Sequence, residues 1–107
     1  MEKFPVEVLS DSVFQHVSDT KTPQGILCIV KQEEHDLEKV LNIENPHFVV
    51  LDNLQDPGNL GTIVRTAEAA GVDAVFLSKE SVDIYNPKTI RSTMGSIYRV
   101  PYIYTDD

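Results

Sequence analysis

The stretch from residue 48 to residue 77 constrains the fold more than any other part of the chain. Phe48-Val49-Val50-Leu51 is a short, β-branched run suited to a strand covered on both faces, as in a parallel sheet. Residues 52–59 form a loop that turns at Pro57-Gly58, and Asn59 is a good cap for a helix beginning at Leu60. That helix is expected to run to about Ala70, with Leu60, Ile63, Val64 and Ala67 on one face and Gly71 as its left-handed stop. A second strand follows at Ala74-Val75-Phe76-Leu77. Strand, loop, helix and strand in this order predict a parallel βαβ unit and an α/β fold, a mainly parallel sheet with flanking helices. The order also puts the 52–59 loop at the carboxyl end of a strand, where ligands of open α/β sheets usually bind.

The flanks carry weaker signals. Val6-Glu7-Val8-Leu9 predicts a short strand, and Ser10 or Asp11 a cap for a helix carrying Val13, Phe14 and Val17. Residues 18–25, with Ser18, Asp19, Pro23 and Gly25, gather turn formers and predict a loop. Ile26-Leu27-Cys28-Ile29-Val30 reads as a buried strand, and residues 33–41 as a helix with Leu37, Val40 and Leu41 inward. Downstream, Asn86-Pro87 pairs a cap with a proline in the first turn, so a short helix should run from Pro87 to about Met94 and break near Gly95. Residues 99–104 then begin another strand. A weak change of composition near Asn45 is the one candidate boundary.

Composition excludes several classes. With 107 residues, 41% of them apolar, and only five Gly and six Pro, the chain reads as one globular unit rather than a disordered or collagenous segment. Its lone Cys28 can build neither a disulfide nor a Cys-based metal site within the chain, and His16, His35 and His47 show no metal-ligand spacing. Met1-Glu2-Lys3-Phe4-Pro5 does not begin a leader, and no run approaches the ~20 apolar residues of a membrane span, so a cytoplasmic setting without a membrane is expected. The formal charge of −8 is uneven: residues 1–52 hold ten acids and four bases, −6, and residues 53–107 seven and five, −2. Three bases, Lys88, Arg91 and Arg99, lie between residues 88 and 104 with no acid. This pattern permits contact with RNA phosphates, and an ordinary solvated surface would also produce it.

Asp52-Asn53-Leu54-Gln55-Asp56-Pro57-Gly58-Asn59-Leu60-Gly61 is the chemically rich segment. No Gly-Lys-Ser/Thr ends it and no Gly-x-Gly-x-x-Gly runs through it, which disfavours Walker-type and dinucleotide sites. The simplest reading is structural, with Asn59 capping the helix and the glycines allowing close packing. Arg65 lies off the apolar face, and Glu68, three residues on, is its natural surface ion-pair partner. The functional alternative is that Arg65 projects beside the strand-end loop to bind phosphate or stabilise a developing oxyanion.

Residues 48–52, followed by Asp56-Pro57-Gly58-Asn59-Leu60-Gly61-Thr62-Ile63-Val64-Arg65-Thr66-Ala67-Glu68-Ala69-Ala70-Gly71, resemble the first signature motif of the SpoU (TrmH-like) branch of the SPOUT RNA 2′-O-ribose methyltransferases. Residues 85–101, Tyr85-Asn86-Pro87-Lys88 through Arg99-Val100-Pro101, are similar to the segment those enzymes carry next, and residues 18–26 to the end of their small N-terminal RNA-binding domain. The resemblance implies transfer of a methyl group from S-adenosylmethionine to a ribose 2′-hydroxyl of structured RNA, with rRNA rather than tRNA expected, by a homodimer. It implies Asn59 and Arg65 at the catalytic site, and Lys88, Arg91 and Arg99 are the candidate RNA contacts. By this likeness residues 1–44 are the end of the RNA-binding domain and a linker, and residues 45–107 the N-terminal part of the methyltransferase domain, the first half of an α/β knot without the knot. The family's Gly-Asn/Ser-Glu-Gly and Ser-Leu-Asn segments, which hold the donor, do not occur in this sequence. The expectation is therefore an internal or truncated segment with no cofactor-binding residues of its own, inactive by itself. A noncatalytic RNA-binding or assembly module of the same fold, and an unrelated nucleotide-binding α/β domain, are the alternatives.

Overall fold

The computed structural model describes residues 4–18 and 20–106. Met1, Glu2, Lys3, Asp107 and the Asp19 of the expected turn cluster lie outside the described residues. The chain divides between Gln32 and Glu33 into two compact units.

In the first unit, helix α1 spans Asp11–Val17. Ser10 caps it as expected, its hydroxyl accepting the Val13 N–H at 3.4 Å, yet the helix buries none of its residues. The strands expected at residues 6–9 and 26–30 do not form: both segments are irregular, and Val8 and Ile29 are 93% and 95% exposed. Apolar, β-branched composition makes a backbone suitable for a strand, but a strand exists only through hydrogen bonds to a neighbour. No strand among the described residues pairs with either segment.

The second unit begins with α2, Leu37–Leu41. It is shorter than the expected 33–41 helix because the Asp36 carboxylate accepts the Glu38 N–H at 3.0 Å, making Asp36 the cap and leaving residues 33–36 outside. Val40 is buried, while Leu37 and Leu41 stay exposed. Strands β1 (Phe48–Leu51), β2 (Ala74–Ser78) and β3 (Tyr102–Thr105) form one parallel sheet in that order, with Phe48 opposite Ala74 and Val75 opposite Tyr102. β1 takes an edge of this sheet, so its Val50 is exposed rather than covered on both faces. Burial on both faces belongs to the central β2, where Ala74, Val75 and Leu77 are all closed off from solvent.

Helix α3 spans Pro57–Ala69. Its cap is Asp56, whose carboxylate accepts the Asn59 N–H at 2.7 Å, and not Asn59, which sits inside the first turn. Proline is tolerated at the first helical position because its missing N–H would have no partner there, so the helix begins at Pro57. Leu60, Val64 and Ala67 form the core with Val75, Leu77, Ile84, Ile97, Val100 and Tyr102. Helix α4 (Pro87–Thr93) is capped by Asn86, which accepts the Lys88 N–H at 3.0 Å. It ends on two left-handed residues, Met94 (φ 51°) and Gly95 (φ 88°), before a 3₁₀ turn at Ser96–Tyr98. α3 and α4 cross at Gly61, where a Cβ would meet the Ser92 Oγ at 1.6 Å and the Thr89 carbonyl oxygen at 2.8 Å. Only a residue without a side chain lets the two backbones approach so closely.

Candidate functional site

The loop after β1 is fastened to the end of β2. The Asn53 N–H donates to the Ser78 hydroxyl at 2.7 Å, the Leu54 N–H to the Ser81 hydroxyl at 3.1 Å, and the Gln55 side-chain amide to the Glu80 carbonyl at 2.6 Å. The Val82 N–H returns to the Leu54 carbonyl at 2.8 Å. One layer further on, the Tyr104 hydroxyl accepts the Ile84 N–H at 2.8 Å and donates to the Val82 carbonyl at 2.6 Å. Burial raises its pKa above the ordinary tyrosine value, so it stays a donor at neutral pH. The polar groups of the strand ends thus hold the loop in place, and α3 leaves it in a fixed direction.

Because Asp56 does the capping, the Asn59 side chain is released from that duty. It is exposed and makes no hydrogen bond to any described residue. Two turns along, Arg65 is exposed, and its Nη1 lies 2.9 Å from the Met94 sulfur. The ion pair expected between Arg65 and Glu68 is absent. Glu68 turns instead to the 3₁₀ turn, where Arg99 Nε donates to its Oε2 and the Ser96 hydroxyl to its Oε1 at 3.4 Å. The bond from Arg99 is the main reason the Glu68 carboxyl is held below the ordinary carboxylate value, against a partial desolvation that pushes the other way. Glu68 in turn raises Arg99. Spacing of three along a helix favours the local pair by a few tenths of a kcal/mol only, and a tertiary partner presenting a guanidinium together with a hydroxyl outcompetes it.

The three bases between residues 88 and 104 separate in space. Lys88 lies over the first turn of α3, its Cε 3.7 Å from where a Cβ on Gly58 would be, and so joins the Asn59 neighbourhood. Arg91 follows one turn later on α4 and is exposed. Arg99 is exposed too, but its guanidinium is committed to Glu68. Thr62 and Thr66, neighbours of Arg65 on α3, donate their hydroxyls into the helix's own carbonyls at Gly58 and Thr62. Sequence reasoning missed Met94, Ser96 and the true partner of Glu68. The Met94-Gly95 dipeptide after a proline-started helix signals the turn, but not what it touches.

Chemically, the arrangement offers on one helix a guanidinium without an ion pair and a carboxamide without a hydrogen bond among the described residues, with an ammonium beside the latter. A guanidinium next to a thioether rather than a carboxylate keeps its full attraction for phosphate or alkoxide oxygen. A methyl donor such as S-adenosylmethionine needs partners for an adenine edge, a ribose diol and an amino-acid head. In the strand-end loop the Asn53 and Leu54 N–H groups and the Gln55 side-chain amide are already bonded to Ser78, Ser81 and Glu80, so these groups do not fit that donor. Among the described residues no cluster of three or more His, Cys, Asp or Glu could hold a metal ion, and no helix is long and apolar enough to cross a membrane.

Residues 46–107 match the SpoU rRNA Methylase family. The chain belongs to that family. It is 41% identical over 96 residues to the 23S rRNA (guanosine(2553)-2′-O)-methyltransferase of Bacillus subtilis, covering 90% of this chain and 37% of that protein. To the mitochondrial rRNA methyltransferase 3 of Homo sapiens it is 43% identical over 90 residues, 80% of this chain and 21% of the human protein. Among solved structures, the AdoMet-bound rRNA methyltransferase from Sinorhizobium meliloti superposes with a TM-score of 0.81 at 35% identity, over 91% of this chain and 37% of that one. The chain therefore spans well under half the length of these relatives. The parallel α/β fold read from the sequence is the fold of these methyltransferases.

Proposed function

We propose that the protein serves as part of an RNA 2′-O-ribose methyltransferase that takes its methyl group from S-adenosylmethionine, with rRNA as substrate in preference to tRNA. The observation that carries this reading is the state of Arg65: on the helix that leaves the strand-end loop, exposed, and without an ion pair among the described residues while Glu68 is engaged elsewhere. A guanidinium is a lasting cation and not a base, so Arg65 orients the ribose hydroxyl, neutralises the adjacent phosphate and stabilises the forming alkoxide. Asn59 orients the same ribose through its free carboxamide. Lys88 and Arg91 contact RNA phosphates, whereas the Arg99 guanidinium is committed to Glu68 and is given no RNA contact. Residues 45–107 are the start of the methyltransferase domain, and residues 1–44 the tail of an RNA-binding domain and its linker. The donor is held by residues outside those described, in a homodimer, and the setting is cytoplasmic. The names of the bacterial and mitochondrial relatives support RNA methylation and an rRNA target.

Single-turnover methylation of ribosomal RNA by the protein as its gene encodes it, with labelled donor, tests this reading. Arg65→Ala should lower the chemical step by about 10²–10³, the scale of losing one oxyanion donor, and leave the melting temperature and donor affinity nearly unchanged. A variant that transfers methyl within a few-fold of the parent makes Arg65 a surface cation. A parent that binds RNA but transfers nothing makes the protein a noncatalytic module.

A further inference from the structure

Arg65 and Glu68 are three residues apart on α3, a spacing that puts their Cβ atoms about 5–6 Å apart and ordinarily lets a guanidinium and a carboxylate meet. Here they do not meet. Both oxygens of Glu68 are taken from the other side, Oε1 by the Ser96 hydroxyl and Oε2 by Arg99. Ser96 and Arg99 are themselves three residues apart across a 3₁₀ turn, the repeat at which side chains eclipse in that helix, so one short turn presents both donors in the same direction. The turn is set by Gly95 at φ 88°, over which the Arg99 guanidinium lies: a Cβ on Gly95 would come within 3.5 Å of Nη1. Met94, also left-handed, occupies with its sulfur the place beside Arg65 that an acidic partner would otherwise fill. Every contact around Glu68 draws it away from Arg65.

We propose that Arg99 is a positioning residue: by holding Glu68 it keeps that carboxylate off Arg65 and so leaves the Arg65 guanidinium open to an oxygen anion of the RNA. The proposal rests on the role given to Arg65 above. It gives Arg99 a task different from direct contact with RNA, and the two make opposite predictions for a double variant. Glu68 touches no reacting atom on this view, and removing its charge does no harm. Removing only Arg99 frees the carboxylate to swing onto Arg65.

The test has two arms. In single-turnover methylation, Glu68→Gln should transfer methyl within about twofold of the parent, and Arg99→Gln should be slower by about five- to tenfold, the effect of neutralising Arg65 with a partly screened partner. Glu68→Gln combined with Arg99→Gln should return to within about twofold of the parent. A double variant as slow as Arg99→Gln alone overturns the proposal, because a lost RNA contact or a loosened turn is not repaired by deleting Glu68. The second arm needs no activity: carboxyl carbon NMR follows the titration of Glu68 in the 107-residue chain. Glu68 should stay below the ordinary value in Arg99→Gln, where Arg65 takes over, and return to it only in Arg65→Gln/Arg99→Gln. An ordinary Glu68 in Arg99→Gln alone overturns the proposal as well. If the parent transfers no methyl while the NMR arm gives the expected pattern, it is the methyltransferase reading that fails, and the exchange of partners stands.

Discussion

Residues 4–32 and residues 33–106 start from comparable apolar material and end differently. In the first unit Phe4, Val6, Val8, Ile26 and Ile29 are all exposed, and α1 buries nothing. In the second, Leu60, Val64, Val75, Leu77 and Ile84 are each 1% exposed or less. The contrast does not lie in residue type, since both hold aliphatic and β-branched runs. It lies in whether a run has something to pack on. α3 and β2 are linked by a short connection that folds one onto the other, and β1 and β3, hydrogen-bonded to either side of β2, complete the sheet. Burial is a property of pairs of elements, so a run without a second element gains no hydrophobic stabilisation however apolar it is.

The widest separation between the two units should appear in amide hydrogen exchange. Core amides of β2 exchange only through large openings, whereas exposed irregular backbone exchanges almost freely, so the slowest amides of residues 74–78 should lag those of residues 26–30 by at least about a thousandfold. Comparable protection would show that residues 26–30 pair with a strand after all. Matched truncations sharpen the same contrast. Leu77→Ala, at a site 1% exposed, should cost about 2–5 kcal/mol, and Ile29→Ala, at one 95% exposed, no more than about 0.5 kcal/mol, both read from denaturant unfolding. Equal costs would remove the distinction.

What is legible in the sequence is local chemistry. The Asn86-Pro87 start of α4, the Gly71 stop after α3 and the two strands around α3 depend on a few adjacent residues, and each is in place. Asn59 is not the cap, and the same cap-then-proline pattern that starts α4 at Asn86-Pro87 starts α3 at Asp56-Pro57. This matters for the site because it frees the Asn59 side chain. The strands expected at residues 6–9 and 26–30 required partners that local patterning does not reveal. The Arg99 partner of Glu68 lies 31 residues away and depends on how the 3₁₀ turn lands on α3. Asn59, Arg65 and Lys88 were legible as candidates through motif resemblance and charge. Their surroundings were not, because they are made by tertiary contact.

The α3–α4 crossing is a packing feature that the first unit lacks, and Gly61→Ala should break it. The added methyl would lie 1.6 Å from the Ser92 Oγ, 2.7 Å from its Cβ and 2.8 Å from the backbone oxygen of Thr89, so rotating Ser92 is not enough and the helices must part. Overpacking of this kind costs about 1–3 kcal/mol, appearing as a lower melting temperature. Gly25→Ala is the control in the first unit. Nothing lies within 4 Å of its Cβ position, and only the strain of its φ of 90° remains. Gly61→Ala with a melt like the parent's would mean that α3 and α4 do not pack this closely.

The smallest effect expected is electrostatic and pH-dependent. Glu68 is held below the ordinary glutamate pKa, first by the bond from Arg99, so it binds a proton less readily in the folded chain than in the unfolded one. Stability from this source is present in full above the unfolded value, and it is lost as the pH falls through the unfolded value and then the folded one. Glutamine cannot ionise and resembles the protonated acid in shape, so the parent should melt slightly higher than Glu68→Gln at neutral pH. The gap should close as the pH is lowered from about 6 to about 3. Because both side chains meet solvent, the gap should also shrink in high salt, where exposed charges are screened within a few ångströms. Parallel melts of the two proteins across that pH range, at low and high ionic strength, are the measurement. A gap that persists unchanged at pH 3 would mean that Glu68 contributes through packing or its neutral hydrogen bonds, and that Arg99 does not hold it by charge.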